Sequence, residues 1–403
     1  MAERVVVTGI GIISALGRGK NAHIGPMRRS QGGIHAITHL RSVHAPEFVL
    51  GEINMSNDDL AKLIGLPTGD NGYTRTTLLS LAAMSELLND VDISLLREEP
   101  FAFINANTVG GMSKMEDIYM DVLAPGTRPE NIKYIDTLDC AESTENVRRH
   151  YGLKPLMATI STACSSSSNS LMLGARMIKS GMVKRAVCGG SDALSRFTLN
   201  GFYSLKNVDK KPCKPFDQNR GGLNIGEAAG FCLLESEPAA IARGAKIIAV
   251  LTGYANTNDA YHPTAPSPNG DGAYLTMKQA LEMASLQPGD IGYINAHGTA
   301  TINNDLAEGR AIQKLFGTQP PPFSSTKPFT GHTLAAAGII EAIFSMWAME
   351  QQMVIPNLNF ETQMEELDIS PAPSLIENVL INHVLSNSFG FGGSNVSLVF
   401  SKP

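Results

Sequence analysis

The sequence predicts an α/β protein built from two similar halves. Three observations carry that expectation. Short β-forming runs closed by glycine or small polar residues alternate with longer stretches of helical period. The chain has 403 residues, more than one simple core absorbs. The features of the first half also return in the second: a strand with a reactive tip, a helix of small residues, a glycine-rich hairpin. Strands alternating with helices favour mostly parallel sheets.

In the first half the strand-like runs are RVVVTGIGI, FAFINANTVGG, MATISTAC, RAVCGGSDA and AAGFCLLES. In the second they are KIIAVLTGYAN, GYINAHGTAT, PFSSTK and VLSNSFGFGGSNVSLVF. Helical spacing marks TTLLSLAAMSELLND, SNSLMLGARMIKSG, GAYLTMKQALEMASL and TLAAAGIIEAIFSMWAMEQQ. The seam is expected near EPAAIARGAK, residues 237–246. It divides the chain into residues 1–245, with a nucleophilic cysteine, and residues 246–403, with two histidines and a lysine. The Pro/Gly-rich loop YHPTAPSPNGDG, residues 261–272, is expected to border a site, and 112–155 has the weakest pattern.

Composition excludes several classes. The formal charge is −6 and no basic run stands out, so nucleic acid is not an expected partner. The N-terminal MAERVVVTG turns straight into a strand pattern without the apolar run of a secretory leader, which suggests the cytoplasm. AAAGIIEAIFSMWAM is too short for a membrane span and is interrupted by Glu341. Five cysteines without C-x-x-C spacing argue against a disulfide framework or a zinc site. Gly9 and Gly11 are followed by Ser14, so the dinucleotide fingerprint fails. With only 17% charged residues, part of the surface is expected to be covered in an oligomer.

ISTACSSSSNS, residues 160–170, lies between a strand and a helix and reads as a tight elbow rather than a linker. A helix N-terminus presents free N–H groups and a partial positive charge. Both are expected to lower the Cys164 pKa and to receive an oxyanion. The serines are small enough for close packing, and their hydroxyls are expected to cap the first helical turn. His297, in INAHGTAT, lies just past an apolar strand, and His332, in STKPFTGHTLAAAG, lies at the start of a small-residue helix, five residues after Lys327. Neither has metal-ligand spacing. A neutral imidazole at such a position can donate an N–H to a developing enolate. The glycines around Phe391, in NSFGFGGSN, allow close approach of backbone to a ligand.

TACSSSSNSL, NAHGTAT, STKPFTGHTLAAAGIIEAI and NSFGFGGSN together resemble the β-ketoacyl-acyl carrier protein synthases. VVVTGIGIISALG, GGSDALS, FDQNRGGLNIGEAAG and AYHPTAPSPNGDGA extend the likeness over nearly the whole chain, towards the synthase II branch. The resemblance implies a thiolase-like fold: duplicated βαβαβαββ halves in a five-layered α-β-α-β-α unit. It implies Cys164 as acyl-accepting nucleophile, and His297 and His332 as groups for malonyl decarboxylation and enolate stabilisation. Lys327, paired with Glu341, would orient the histidines. Thr299 and Thr301 would hold the phosphopantetheine arm, Val109 would line the acyl tunnel, and Phe391 would gate the site and join Cys164 in the oxyanion hole. Lys206 and Arg75 are the expected docking cations for acyl carrier protein. Neither a metal nor a resident cofactor is implied, and the assembly would be a homodimer or a heterodimer with a related subunit.

The chain departs from the family pattern in FDQNRGG, residues 216–222, where FDxxRDG is usual, and at Ala228, where a glycine is usual. GDNGYTRTT lacks a dense basic patch, and DCAESTENVRRHYGLKPL replaces an apolar segment. These departures fit a specialised polyketide or aryl-polyene pathway as well as housekeeping fatty-acid synthesis. A thiolase would need a second late cysteine, and none follows Cys232. Synthase III relatives pair one histidine with an asparagine. A non-catalytic chain-length-factor-like subunit generally lacks the cysteine, and a cysteine hydrolase leaves the second histidine and Lys327 unexplained.

Overall fold

A computed structural model describes residues 3–98, 100–123 and 130–403. Ten strands form the main path of one sheet. They are β1 (Val5–Ser14), β2 (Ala102–Ala106), β3 (Leu156–Ile160), β4 (Arg185–Asp192) and β5 (Ala228–Ser236) in the first half. The second half contributes β6 (Ala249–Asn258), β7 (Tyr293–Asn295), β8 (Phe323–Ser324), β9 (His383–Phe389) and β10 (Ser394–Ser401). The order across the sheet is β8-β7-β9-β10-β6-β1-β5-β4-β2-β3. Each half therefore repeats one arrangement, first strand beside fifth, then fourth, second and third. The halves join first strand to first strand, with Val6 opposite Val250.

The expectation of mostly parallel sheets is corrected. β2 pairs in parallel with β3 and β4, and β7 with β8 and β9, but the other pairs are antiparallel. The reason is clearest in the second half, where the short Gly390–Gly393 link reverses β9 into β10.

Six helices frame the site: α1 (Arg75–Leu87), α2 (Ser166–Lys179), α3 (Arg196–Ser204), α4 (Asp271–Ala284), α5 (Ile302–Phe316) and α6 (Ala337–Gln351). Strand alternation sorts them into layers. In β5, Phe231 and Leu233 face Leu79 and Ala83 of α1, while Cys232 and Leu234 face the middle with Leu171 of α2. In β10, Val399 turns to Met277 of α4, while Leu398 and Phe400 turn inward to the cluster holding Ile343 of α6. Outer helix, sheet half, paired central helices, sheet half and outer helix give five layers. The apolar run rejected as a membrane span is α6, buried through Met349 because sheet covers it from both sides. Among the described residues no helix is long and apolar enough to cross a membrane. Part of the weakly patterned stretch, residues 124–129, lies outside the described residues.

Candidate active site

Between β3 and α2 the chain turns sharply, with Ala163 at a φ of 51°, and the turn presents the buried Cys164. The serine hydroxyls do not cap α2, which corrects the expectation. Ser165 occupies the N-cap, but its hydroxyl donates to Thr162 O at 2.8 Å and lies 2.9 Å from the hydroxyl of Ser394, from which it can accept. Ser166 Oγ accepts the Thr162 N–H at 2.8 Å. Ser167 Oγ accepts the Ile339 N–H at 2.9 Å, in the first turn of α6, whose own N-cap Ala336 offers no side-chain acceptor. The hydroxyls thus bind the elbow to the second half. Small size matters equally: a Cβ on Gly338 would lie 2.1 Å from Ser168 Oγ.

His332 is pinned to the first half. Its N–H donates to Asn224 O at 2.7 Å, and its carbonyl accepts from Gly226 N at 2.9 Å. Its Nδ1 accepts the Leu334 N–H at 3.2 Å, and its Nε2 lies 3.1 Å from Cys164 Sγ. His297 follows β7. Lys327 Nζ is 3.2 Å from its Nδ1, and the same ammonium donates to the His297 carbonyl and the Glu341 carboxylate. An Nδ1 that accepts carries no proton, so in both neutral rings the proton sits on Nε2. The rings stand 5.4 Å apart at 87°.

Burial holds both imidazoles well below their ordinary pKa, and the Lys327 charge adds to that. They stay neutral donors. Burial also pushes the Cys164 thiol up to about 11, against the pull of the Lys327 charge and the Phe391 N–H. The expected lowering at a helix N-terminus is corrected: desolvation outweighs it, and the resting sulfur is a thiol. Burial raises the Glu341 carboxyl to about 7, opposed by Lys327. The ligating atoms of Cys164, His297 and His332 lie within 4.8 Å of one another. A metal, however, needs the Nε2 lone pairs, which this hydrogen bonding fills with protons. The arrangement fits proton donation to an oxygen better than metal ligation.

Cys164, His297, His332, Thr299, Thr301, Phe391 and Lys206 line one cleft of about 210 Å³. Lys327 and Glu341 stand behind His297, and Thr299 and Thr301 share a 2.8 Å hydroxyl contact. Phe391 stacks on Phe202 of α3 at 5.5 Å. The Phe391 N–H and the Cys164 N–H both face the Cys164 sulfur. Thr264 and Pro266 of the Pro/Gly-rich loop border the cleft, and Gly392 N donates to Pro263 O at 2.7 Å. Gly222 also lines it, at φ 142° with a would-be Cβ 2.6 Å from Asn207 O. Arg220 meanwhile binds the carbonyls of Asp217, Thr301 and Ile302. Val109 stands off the cleft, against the cluster of Phe48, Leu194 and Leu334.

The docking expectation for Arg75 is corrected. Its side chain is 11% exposed and grips Glu227 through Nε at 2.8 Å and Nη2 at 2.6 Å. A guanidinium held in a buried bidentate pair is not offered to a partner. Sequence reading missed Glu308, which accepts the His297 and Gly298 N–H groups at 2.8 Å each. It also missed Asp305, which accepts from Ala300 at 3.1 Å. The signal was present: two acids three residues apart, one face of α5, directly after HGTAT.

Comparison with known proteins agrees with this geometry. Residues 2–240 match the model of the beta-ketoacyl synthase N-terminal domain, and residues 248–361 that of the C-terminal domain. The chain belongs to the β-ketoacyl synthase family. A family relative, the 3-oxoacyl-[acyl-carrier-protein] synthase 2 of Staphylococcus aureus (strain COL), is 32% identical over 99% of this chain and 98% of its own. Among solved structures, the ishigamide ketosynthase/chain length factor superposes with a TM-score of 0.93 at 29% identity, covering 100% of both chains. The ketosynthase ApeO in complex with its chain length factor ApeC, from Xenorhabdus doucetiae, gives 0.84 at 30% identity, with 100% of this chain and 98% of that one covered. The fold is thus the thiolase-like fold of the ketosynthases, and this β-ketoacyl synthase is a condensing acyltransferase.

Proposed function

We propose that this β-ketoacyl synthase extends an acyl group by decarboxylative condensation with malonyl-acyl carrier protein. The observation that carries the reading is the convergence of two neutral Nε2–H donors, His297 and His332, beside the Cys164 sulfur, 3.1 Å from the second ring. In the first step the Cys164 sulfur attacks the acyl thioester carbonyl. The oxyanion rests on the Cys164 and Phe391 N–H groups, the carrier thiol leaves with the proton, and an acyl-Cys164 thioester remains. In the second, the malonyl thioester loses carbon dioxide. The electron pair of the broken C–C bond forms an enolate whose oxygen accepts from both Nε2–H groups. The enolate carbon attacks acyl-Cys164, releasing the thiolate and a 3-ketoacyl product two carbons longer. Loss of carbon dioxide drives the reaction, so the scheme uses neither a redox cofactor nor a metal.

Acyl carrier protein is the proposed partner, its phosphopantetheine arm lying along Thr299 and Thr301 and its acidic surface meeting the exposed Lys206 at the cleft mouth. Val109 is proposed as a wall of the acyl pocket. A second ketosynthase-like chain is proposed against β3, at the first-half edge of the sheet, where Leu156 and Met157 are 49% and 44% exposed. That chain is either a second copy or a related subunit. The working compartment is proposed to be the cytoplasm, in fatty acid or specialised polyketide synthesis. Retention of Cys164 with both histidines favours a catalytic role over that of a silent partner.

Intact-mass analysis with a panel of acyl-carrier proteins, followed by malonyl-carrier protein, tests the reading. The expected result is an acyl adduct on Cys164, release of carbon dioxide, and a 3-ketoacyl-carrier product. Absence of an adduct across the panel would sink it.

A further inference from the structure

We infer that Asp192 is a positioning residue for His332, and that it ties the turn carrying this histidine to the backbone at Val109. Asp192 ends β4 and is fully buried. Its carboxylate meets four donors from two separate segments. Oδ1 accepts the N–H of Thr108 at 3.1 Å and of Val109 at 3.3 Å. Oδ2 accepts the Thr108 hydroxyl at 2.5 Å and the Ala335 N–H at 2.8 Å.

Ala335 follows Leu334, whose N–H fixes Nδ1 of His332. Leu334 holds a φ of 54°, a conformation an L residue keeps only where its surroundings over-determine it. The Asp192–Ala335 bond is one such constraint. Without it the turn can relax, and the Leu334 N–H no longer selects the Nε2–H tautomer facing the cleft. Val109 and Leu334 also share one apolar cluster. A single carboxylate therefore sets the backbone on both sides of that contact.

The inference rests on the proposed condensation, and the test separates the two. Asp192→Asn keeps the shape but turns one oxygen into an N–H₂ group that faces donors. Two half-reactions are read on the same preparation: malonyl thioester decarboxylation by carbon dioxide release, and Cys164 acylation by intact mass. Decarboxylation kcat is expected to fall about tenfold at little-changed KM, because small misplacements of an aligned donor are costly. Acylation is expected to stay within about twofold, since its oxyanion donors are backbone groups elsewhere. If Asp192→Asn fails to fold, Asp192→Glu keeps the charge, shifts the oxygens by one methylene, and is read by the same ratio. Equal loss of both half-reactions, or loss of neither, overturns the inference. Failure of the wild-type protein in both half-reactions overturns instead the function on which it rests.

Discussion

Lys327 Nζ lies 3.2 Å from Nδ1 of His297 and so fixes which nitrogen of the ring carries the proton. The ammonium is itself fixed by the Glu341 carboxylate and the His297 carbonyl. The chemistry at the cleft is therefore set from behind, by groups that do not line it.

This arrangement separates the two half-reactions. Acylation needs the Cys164 sulfur and backbone N–H groups, whereas enolate stabilisation needs both Nε2–H donors. His297→Ala and His332→Ala are each expected to lower malonyl decarboxylation by roughly a hundredfold or more, the scale of losing one oxyanion-type donor. Formation of acyl-Cys164 should decline far less. Equal losses would assign the histidines to proton transfer from the thiol.

Cys164 should behave as a buried thiol. With its pKa raised to about 11, the thiolate fraction grows with pH throughout the neutral range. Alkylation by iodoacetamide should accelerate about tenfold per unit from about pH 6 to about pH 9, without a plateau. Levelling off near neutrality would mean that the helix end and Lys327 prevail over burial. Cys164→Ala should abolish acyl uptake and leave the melting temperature nearly unchanged.

The two cations proposed from sequence as docking residues should part company on mutation. Lys206→Glu is expected to raise the apparent KM for carrier-bound substrate severalfold at low salt and less at high salt, where screening weakens steering. Turnover of a small pantetheine thioester should hardly move. Arg75→Ala should instead leave Glu227 buried without its partner, at a cost of about 3–5 kcal/mol in denaturant unfolding. A Lys206 variant that impairs both substrates alike would make that residue structural too.

Gly338→Ala tests the close contact of α2 and α6. The added methyl would meet Ser168 Oγ at 2.1 Å, a hydroxyl already bonded to Ser388 Oγ at 2.9 Å, and the backbone Ser168 N at 2.9 Å, which cannot rotate away. A loss of about 1–3 kcal/mol is expected from overpacking, with a matching fall in condensation rate. An unchanged melting temperature would show that the helices give way freely.

The strands and the chemistry-bearing tips were legible because their signals are local. RAVCGGSD and AAGFCLLES are β-forming runs bounded by turn residues, and they are β4 and β5. His297 and His332 stand out by their Gly and Thr neighbours. What stayed hidden depends on distant partners. Asp192 and Glu308 look like ordinary acids until the fold brings backbone donors to them. The Arg75–Glu227 pair joins residues 152 positions apart. The state of the Cys164 thiol follows from how completely both halves enclose it, and no window around ISTACSSSS encodes that. Pairing direction was hidden for the same reason, since helical period says nothing about where a strand re-enters the sheet.

Cys164 comes from the first half, whereas His297, His332 and Lys327 come from the second. The 3.1 Å gap between sulfur and imidazole is thus spanned by no local stretch of chain. Its length is the sum of how α2, α6 and the Asn224–Gly226 strip settle against one another. Turnover in this protein is consequently a ruler laid across the joint. Any substitution that lets one half slide on the other, however remote from the cleft, should register first as a slower reaction and only later as a lower melting point.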